Sequence, residues 1–405
     1  MDVVGWDFES QLEELKSAFQ FGGVGGCRRM MEIKRDEWKD IPLNVAVVGN
    51  SGVGKSSFIN AIRRLTTDDE GAAAVGVKET TFDIQNNSHQ NNPLLKFWDL
   101  PGVGVHHFPR KSYMSDIDVD RFDFTLLITA DRFTENDAWL SSELRRRKKK
   151  CFIVRTKIGV DIRNNRKAHP RSHNEEDVVR AIRESTEQNL RECGCADVPV
   201  FLIDSYELQK FDFDRLERRL IEHFPQLKRF ALILSLQATS KEVIRLKVAG
   251  LCSRMWKLAA LSDGTAAIPV PGVSTVFDLS IVIQEAEFYF MQLGLDETSL
   301  KRFAKVTFTH YQQLQSTVDR CLGCHVVGTE GLKKLIEELI MRADPLVTSA
   351  AADEYFRFVP LLGSFIAAPM CFGGTYYALK LVLDKIESAA LEVVQFALER
   401  AATEN

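Results

Sequence analysis

The run Gly49-Asn-Ser-Gly-Val-Gly-Lys-Ser56 carries the most specific chemistry in this chain. It fits G-x-x-x-x-G-K-[ST], in which small residues let successive backbone N–H groups curl around a polyphosphate. Gly49, Asn50, Ser51, Gly52, Val53 and Gly54 would form that curl, and Ser57 would continue it into a helix whose N-terminus favours anions. Lys55 is placed to neutralise β- and γ-phosphate oxygens, and the Ser56 hydroxyl to ligate Mg²⁺. The pattern follows an apolar strand, Val45–Val48, and opens an amphipathic stretch, Ser57–Leu65, which is the context it needs. We therefore expect a nucleoside triphosphate to bind there with Mg²⁺.

Two further segments fit the same chemistry. Trp98-Asp-Leu-Pro-Gly102 ends an apolar run, so Asp99 can serve the metal and the Gly102 N–H can meet the γ-phosphate. In Gly76-Val-Lys-Glu-Thr-Thr81, a hydroxyl is expected to reach Mg²⁺ or the γ-phosphate, Thr81 first and Thr80 as the alternative. Glu79 could orient a water. Lys55, Glu79, Thr81 and Gly102 are thus the catalytic candidates, and Ser56, Thr81 and Asp99 the metal candidates. Gly104 and Val105 follow the Gly102 turn, and no glutamine stands near it to position water, so a slow intrinsic rate is expected unless a second subunit completes the site.

The base-reading side is less regular. The strand Cys151–Arg155 runs into Thr156-Lys-Ile-Gly159, where Lys157 can stack on a base. A guanine-reading loop of this type has an aspartate two residues after the lysine; here that residue is Gly159, and Asp161 comes two later, about 7 Å along an extended chain. Asp161 reaches the base only if the loop bulges. Asp204-Ser205, after Val198–Ile203, would cover the base from the other side, chiefly through backbone groups. Losing a bidentate contact weakens selection of guanine over other bases.

These loops need a scaffold. Short apolar runs at Leu43–Val48, Leu94–Trp98, Phe124–Thr129, Cys151–Thr156 and Val198–Ile203 alternate with amphipathic stretches at Ser56–Leu65, Glu135–Arg147, Glu175–Arg191 and Phe213–His223. That rhythm predicts an α/β unit with a mostly parallel sheet covered on both faces. Beyond Leu227 we find no strand rhythm; residues 229–262, 276–293, 297–320, 329–342 and 374–400 read as helices, with breaks at Pro269–Gly272, Pro345, Pro360 and Gly373-Gly374. The expected division is a helical segment 1–40, an α/β domain 41–225 and an all-α domain 226–405.

The chain has 405 residues, 45% hydrophobic and 27% charged, enough for two or three domains. A net charge of −4 provides no global basic field, so nucleic acid is not expected as a partner. Eight scattered cysteines do not make a disulfide framework, and neither a signal peptide nor a common lipidation motif is expected. This reads as a cytoplasmic protein. Arg145–Lys150 reads as a solvated helix end, with anionic lipid or nuclear import as alternatives. Cys321-Leu-Gly-Cys-His325 has haem-attachment spacing, but core or surface thiols suffice. Phe358–Leu379 carries no charge, yet its prolines and glycines favour a buried helical hairpin, with reversible membrane contact rather than a true span as the alternative.

Taken together, Gly49–Ser56, Gly76–Thr81, Trp98–Gly104, Phe152–Lys157, Phe201–Phe213 and Leu293–Leu300 make the chain resemble the immunity-related GTPases, the interferon-inducible dynamin-like family, over about residues 10–400. The resemblance implies a Ras-like domain between an N-terminal helical segment and a C-terminal helical domain. It implies GTP and GDP binding, slow hydrolysis accelerated by homo- or hetero-oligomeric assembly through the G domain, and peripheral association with intracellular membranes in cell-autonomous immunity. Lys55 matches the lysine form of the family's loop. Gly159 departs from its T-K-x-D pattern and Asp204-Ser205 from its usual Ser-Asn. A regulatory module that hydrolyses little and selects guanine loosely is the alternative.

Overall fold

The computed structural model describes residues 37–76, 83–90, 92–104, 108–261, 267–269, 276–324, 328–341 and 369–403, with scattered positions between 14 and 33. It divides into two compact units, Pro42–Phe224 and a second formed by Met1–Ile41 with Pro225–Asn405.

In the first unit, β1 (Leu43–Val48), α1 (Lys55–Ile62), β2 (Gln85–His89), β3 (Asn92–Asp99), α2 (Tyr113–Asp116), β4 (Phe124–Thr129), α3 (Glu135–Arg146), β5 (Cys151–Arg155), α4 (Ile158–Ala168), α5 (Glu175–Glu192), β6 (Val200–Leu202) and α6 (Phe213–His223) follow in order. The sheet order is β2-β3-β1-β4-β5-β6, parallel except for β2. Every residue of β4 is buried, as a strand covered on both faces requires. One face carries a core of Ala46, Val48, Leu127 and Ile153 against Leu140, Leu144 and Leu190. The other carries an aromatic row, with Phe152 centred 4.7 Å from Phe124 and 5.1 Å from Phe201. The chain runs from β1 to β3 on one side and returns to β4 on the other, so a crevice opens beyond the carboxyl end of β1.

Three elements depart from the sequence reading: β2, the single-turn α2 and α4. β2 is an edge strand of sequence Gln-Asn-Asn-Ser-His, which has no apolar alternation to signal it. α4 starts immediately after Lys157, whose φ of 63° makes the turn, so the loop that would have to bulge for Asp161 to reach a base is helix instead. The basic run closes α3 on local partners: Arg146 and Arg147 on Glu143, Lys149 on Asp120 at 2.8 Å, and Arg145 on Asp197 at 3.3 Å.

The second unit contains α7 (Gln226–Ser235), α8 (Lys241–Leu261), a hairpin of β7 (Ala267–Pro269) and β8 (Val276–Asp278), α9 (Leu279–Gln292), α10 (Glu297–Thr307), α11 (Tyr311–Leu322), α12 (Gly328–Met341) and α13 (Pro369–Thr403). The hairpin corrects the expectation of helix alone. The expected single helices split before α8 and at Phe308, which takes a φ of 55°. Gly373-Gly374 breaks nothing: both lie inside α13. Of the uncharged stretch, residues 358–368 lie outside the described residues, and 374–379 are buried. No helix among the described residues is long and apolar enough to cross a membrane.

Lys247 is buried inside this unit. Its ammonium donates to the Leu234 carbonyl at 3.0 Å and to Gln292 Oε1 at 2.9 Å, both neutral groups. Burial pulls its pKa from 10.5 down to about 7. Between those values the unfolded chain holds a proton that the folded chain lacks, so this residue makes stability rise with pH through that window, by at most about 1.4 kcal/mol per pH unit. Below about pH 7 the cost of charging it is present in full. Lys247→Met should therefore melt higher than the parent at pH 6.5, with the advantage shrinking toward pH 9.5. Parallel thermal denaturation across that range checks it, and a pH-independent difference would contradict it.

Candidate functional site

The phosphate loop is fixed by its neighbours before any ligand is considered. Gly49 leaves β1 with a φ of 148°, and a β-carbon there would lie 2.2 Å from the Ile128 carbonyl oxygen at the end of β4. Gly102 is held as closely: its β-carbon would sit 2.7 Å from the backbone nitrogen of Ser51. Only glycine allows the turn after β3 to press against the loop after β1.

Lys55 begins α1 and is 6% exposed. Its ammonium donates to the Asn50 carbonyl at 3.0 Å and more weakly to that of Gly49 at 3.4 Å. Ser56 Oγ donates to Asp99 Oδ2 at 2.5 Å. Parallel pairing of β1 with β3 sets Val47 opposite Asp99, which is 1% exposed, and so delivers that carboxylate to the loop. A hydroxyl and a carboxylate converging here are hard oxygen donors of the kind Mg²⁺ takes, so Ser56 and Asp99 fit the expected ion. Among the described residues no cluster of three or more His, Cys, Asp or Glu forms a metal site. Glu79, Thr80 and Thr81 lie outside the described residues, as do Val105, His106 and His107.

Beneath the turn, the Tyr113 hydroxyl donates to the Pro101 carbonyl at 2.9 Å. Burial, and then the charge of Asp99, push its pKa well above the usual phenol value, so it remains a donor. A second brace comes from the start of α3. Thr134 and Asp137 form a capping box there. Asn50 Nδ2 donates to Thr134 Oγ1 at 2.8 Å, while Asn136 Nδ2 donates to Asn50 Oδ1 at 2.9 Å and reaches the Val103 carbonyl at 3.4 Å. One helix start thus ties the phosphate loop to the turn after Gly102. Burial raises the Asp137 pKa, opposed by its bonds from Thr134. Tyr113, Thr134, Asn136 and Asp137 escaped the sequence reading; the T-x-x-D box was legible, but its reach across 84 residues to Asn50 was not.

On the base side, Thr156 Oγ1 donates to the Val53 carbonyl at 2.6 Å, bracing the loop from β5. Asp161 does not approach the base region as a bulged loop would allow. It sits on the first turn of α4, where Arg155 binds it at 2.7 Å. Asp204 and Ser205 do line the cavity, and the Asp204 carboxylate accepts from Gly159 N at 3.0 Å and Tyr206 N at 2.9 Å. Ser51, Gly52, Gly54, Lys55, Ser56 and Ser57 of the loop and α1 line this cavity of about 490 Å³ together with Thr156, Lys157, Asp204 and Ser205 from the ends of β5 and β6.

A parallel sheet, a glycine loop feeding a helix at the turning point of the strand order, and a carboxylate from the adjacent strand define a P-loop protein of the GTPase class. A model of the Interferon-inducible GTPase (IIGP) family matches residues 10–391. The chain belongs to that family, the immunity-related GTPases. It is 30% identical over 379 residues to interferon-gamma-inducible GTPase 10 of Mus musculus, covering 94% of this chain and 87% of that protein. It is 31% identical to interferon-inducible GTPase 5 of Rattus norvegicus (98% and 84% covered) and 32% identical to that of Bos taurus (96% and 83%). The G domain of the T. maritima FeoB iron transporter matches 45% of this chain and 98% of its own length at 16% identity, with a TM-score of 0.29, too slight an overlap to carry inference.

If the Asn136 bridge holds the loop in place, Asn136→Ala should weaken binding of a fluorescent GTP analogue by about 2- to 10-fold, the worth of one net hydrogen bond, with little change in melting temperature. An unchanged affinity would show that the loop holds its shape without it.

Proposed function

We propose that this chain binds GTP as its Mg²⁺ complex and hydrolyses it to GDP and phosphate, slowly alone and faster when copies assemble through the G unit. The observation that carries this is the convergence of buried Lys55 and the Ser56–Asp99 pair, 2.5 Å apart, at the loop that leaves β1. The relatives' names as GTPases support guanine as the base. Lys55 exchanges its bonds to loop carbonyls for β/γ oxygens and draws off their charge. The backbone amides of residues 50–56 are preorganised for the same charge and need not rearrange as it grows. The Gly102 N–H meets the γ-phosphate from the opposite turn. Ser56 and Asp99 would hold Mg²⁺, which supplies divalent charge to the phosphate oxygens when bound.

Val103 and Gly104 offer no polar side chain to orient a water, which favours a second subunit as the source of that group. The same feature favours the rival reading, a nucleotide-dependent regulatory module that hydrolyses little. Thr81 and Glu79 keep their proposed roles on the metal and the water. A peripheral place on intracellular membranes and a role in cell-autonomous immunity belong to this proposal too, supported by family membership.

Phosphate release per chain, followed over a range of protein concentrations with GTP and with ATP, separates the two readings. Assembly-activated hydrolysis gives a specific rate that climbs with concentration on GTP and falls about 100-fold or more in Lys55→Ala. A background rate that ignores concentration and survives Lys55→Ala leaves only the module.

A further inference from the structure

The glycine at position 159 takes a carboxylate away from the place where a guanine-reading loop carries one, and the fold puts another there. β5 and β6 lie side by side in parallel, with Arg155 opposite Leu202, so Lys157–Gly159 and Asp204 emerge together from neighbouring strand ends. A β-carbon built on Gly159 would lie 2.7 Å from Asp204 Oδ2, so the carboxylate of Asp204 already occupies the space into which an aspartate at 159 would project. Glu207 Oε1 is the next nearest at 3.2 Å, on a carboxylate whose other oxygen, Oε2, is held by Lys210 at 2.5 Å. An alanine or aspartate at 159 and the present Asp204 rotamer are mutually exclusive, so the two departures from the family pattern are one spatial exchange.

Asp204 is built to be held still and to accept more. It is 5% exposed. Oδ2 accepts the Gly159 N–H and Oδ1 the Tyr206 N–H, so two backbone amides rather than a mobile cation fix its plane. An ionised carboxylate offers about four lone-pair positions, and those amides use one on each oxygen. It lines the same cavity as Lys157 and Lys55. Guanine presents two adjacent donors on one edge, N1–H and the C2 amino group. Hypoxanthine keeps only the first, xanthine replaces the second with a carbonyl, and adenine presents an acceptor where guanine has N1–H. A fixed buried carboxylate with one free position on each oxygen selects guanine among these.

We propose that Asp204 is the guanine-reading carboxylate of this chain, delivered from the end of β6 in place of the one missing at Gly159. The assignment rests on the reading that the cavity takes a purine nucleoside triphosphate. It predicts strict guanine preference, against the relaxed preference that Gly159 alone implies.

The test measures direct binding of radiolabelled GTP, ITP and XTP with Mg²⁺ to the full chain. The parent should favour GTP over both analogues. Asp204→Asn keeps the shape, and one carboxamide oxygen still accepts a backbone N–H, but its NH₂ donates to the xanthine C2 carbonyl. The XTP-to-GTP affinity ratio should rise by about tenfold or more. An Asp204→Asn chain that binds triphosphate with the parent's ratio would reduce Asp204 to a structural cap and overturn the proposal. So would a ratio that moves in Glu207→Gln and not in Asp204→Asn. If Asp204→Asn does not fold, Asp204→Ser with and without Gly159→Asp decides: guanine preference should vanish in the single variant and return in the double, and its survival in the single variant refutes the assignment. A folded parent that takes up no triphosphate overturns instead the nucleotide reading beneath it.

Discussion

The site depends on two backbone segments pressed together more closely than any side chain allows. The loop after β1 lies against the Ile128 carbonyl through Gly49, and the turn after β3 lies against Ser51 through Gly102. Because the sheet fixes the ends of β1, β3 and β4 relative to one another, the loop's amides, Lys55 and Asp99 have no freedom to separate. Preorganisation of this kind lets a site meet developing phosphate charge without paying to reorganise its own dipoles. The Tyr113 hydroxyl and the Asn50–Asn136–Val103 bridge then work as props on a geometry that the glycines have already made possible.

The phosphate end was legible in the sequence because its signals are local. An apolar run, a fixed glycine and lysine spacing, and a following amphipathic stretch sit within about two dozen residues, and β1, β4 and α6 fall where the pattern places them. What stayed hidden is nonlocal or polar. β2 shows no apolar alternation because the residues it buries, Asn87 and His89, are polar. α4 begins at a lysine in the left-handed region rather than at a serine, threonine or aspartate cap, and its first turn reads as loop. Missing α4 changes the reading of Asp161, whose carboxylate ends on Arg155. It also changes the account of Gly159, whose N–H ends on Asp204.

The helical unit was read correctly in kind and poorly in its joints. Phe308 stops a helix from the left-handed region, a conformation that no sequence rule assigns to phenylalanine. Gly373-Gly374 continues a helix because α13 packs against α8, α9 and α11, and burial of that face outweighs the propensity cost of two glycines. The interior is not wholly apolar: Arg254 and Glu285 pair at 2.8 Å, both nearly inaccessible, close to the Phe288 ring. Such pairs cost desolvation and are strongly destabilising to break, so they hold one packing arrangement more than they add stability.

The central claim is that the amides between Val48 and Ser57, with Lys55, Ser56 and Asp99, form a receptor for a triphosphate and its metal. Calorimetric titration of the folded full chain with a non-hydrolysable GTP analogue, in Mg²⁺ and again in EDTA, addresses it most directly. The account predicts saturable binding that weakens sharply without Mg²⁺ and disappears in Lys55→Ala. Heats that are the same with and without the metal, or the same in the variant, would contradict it.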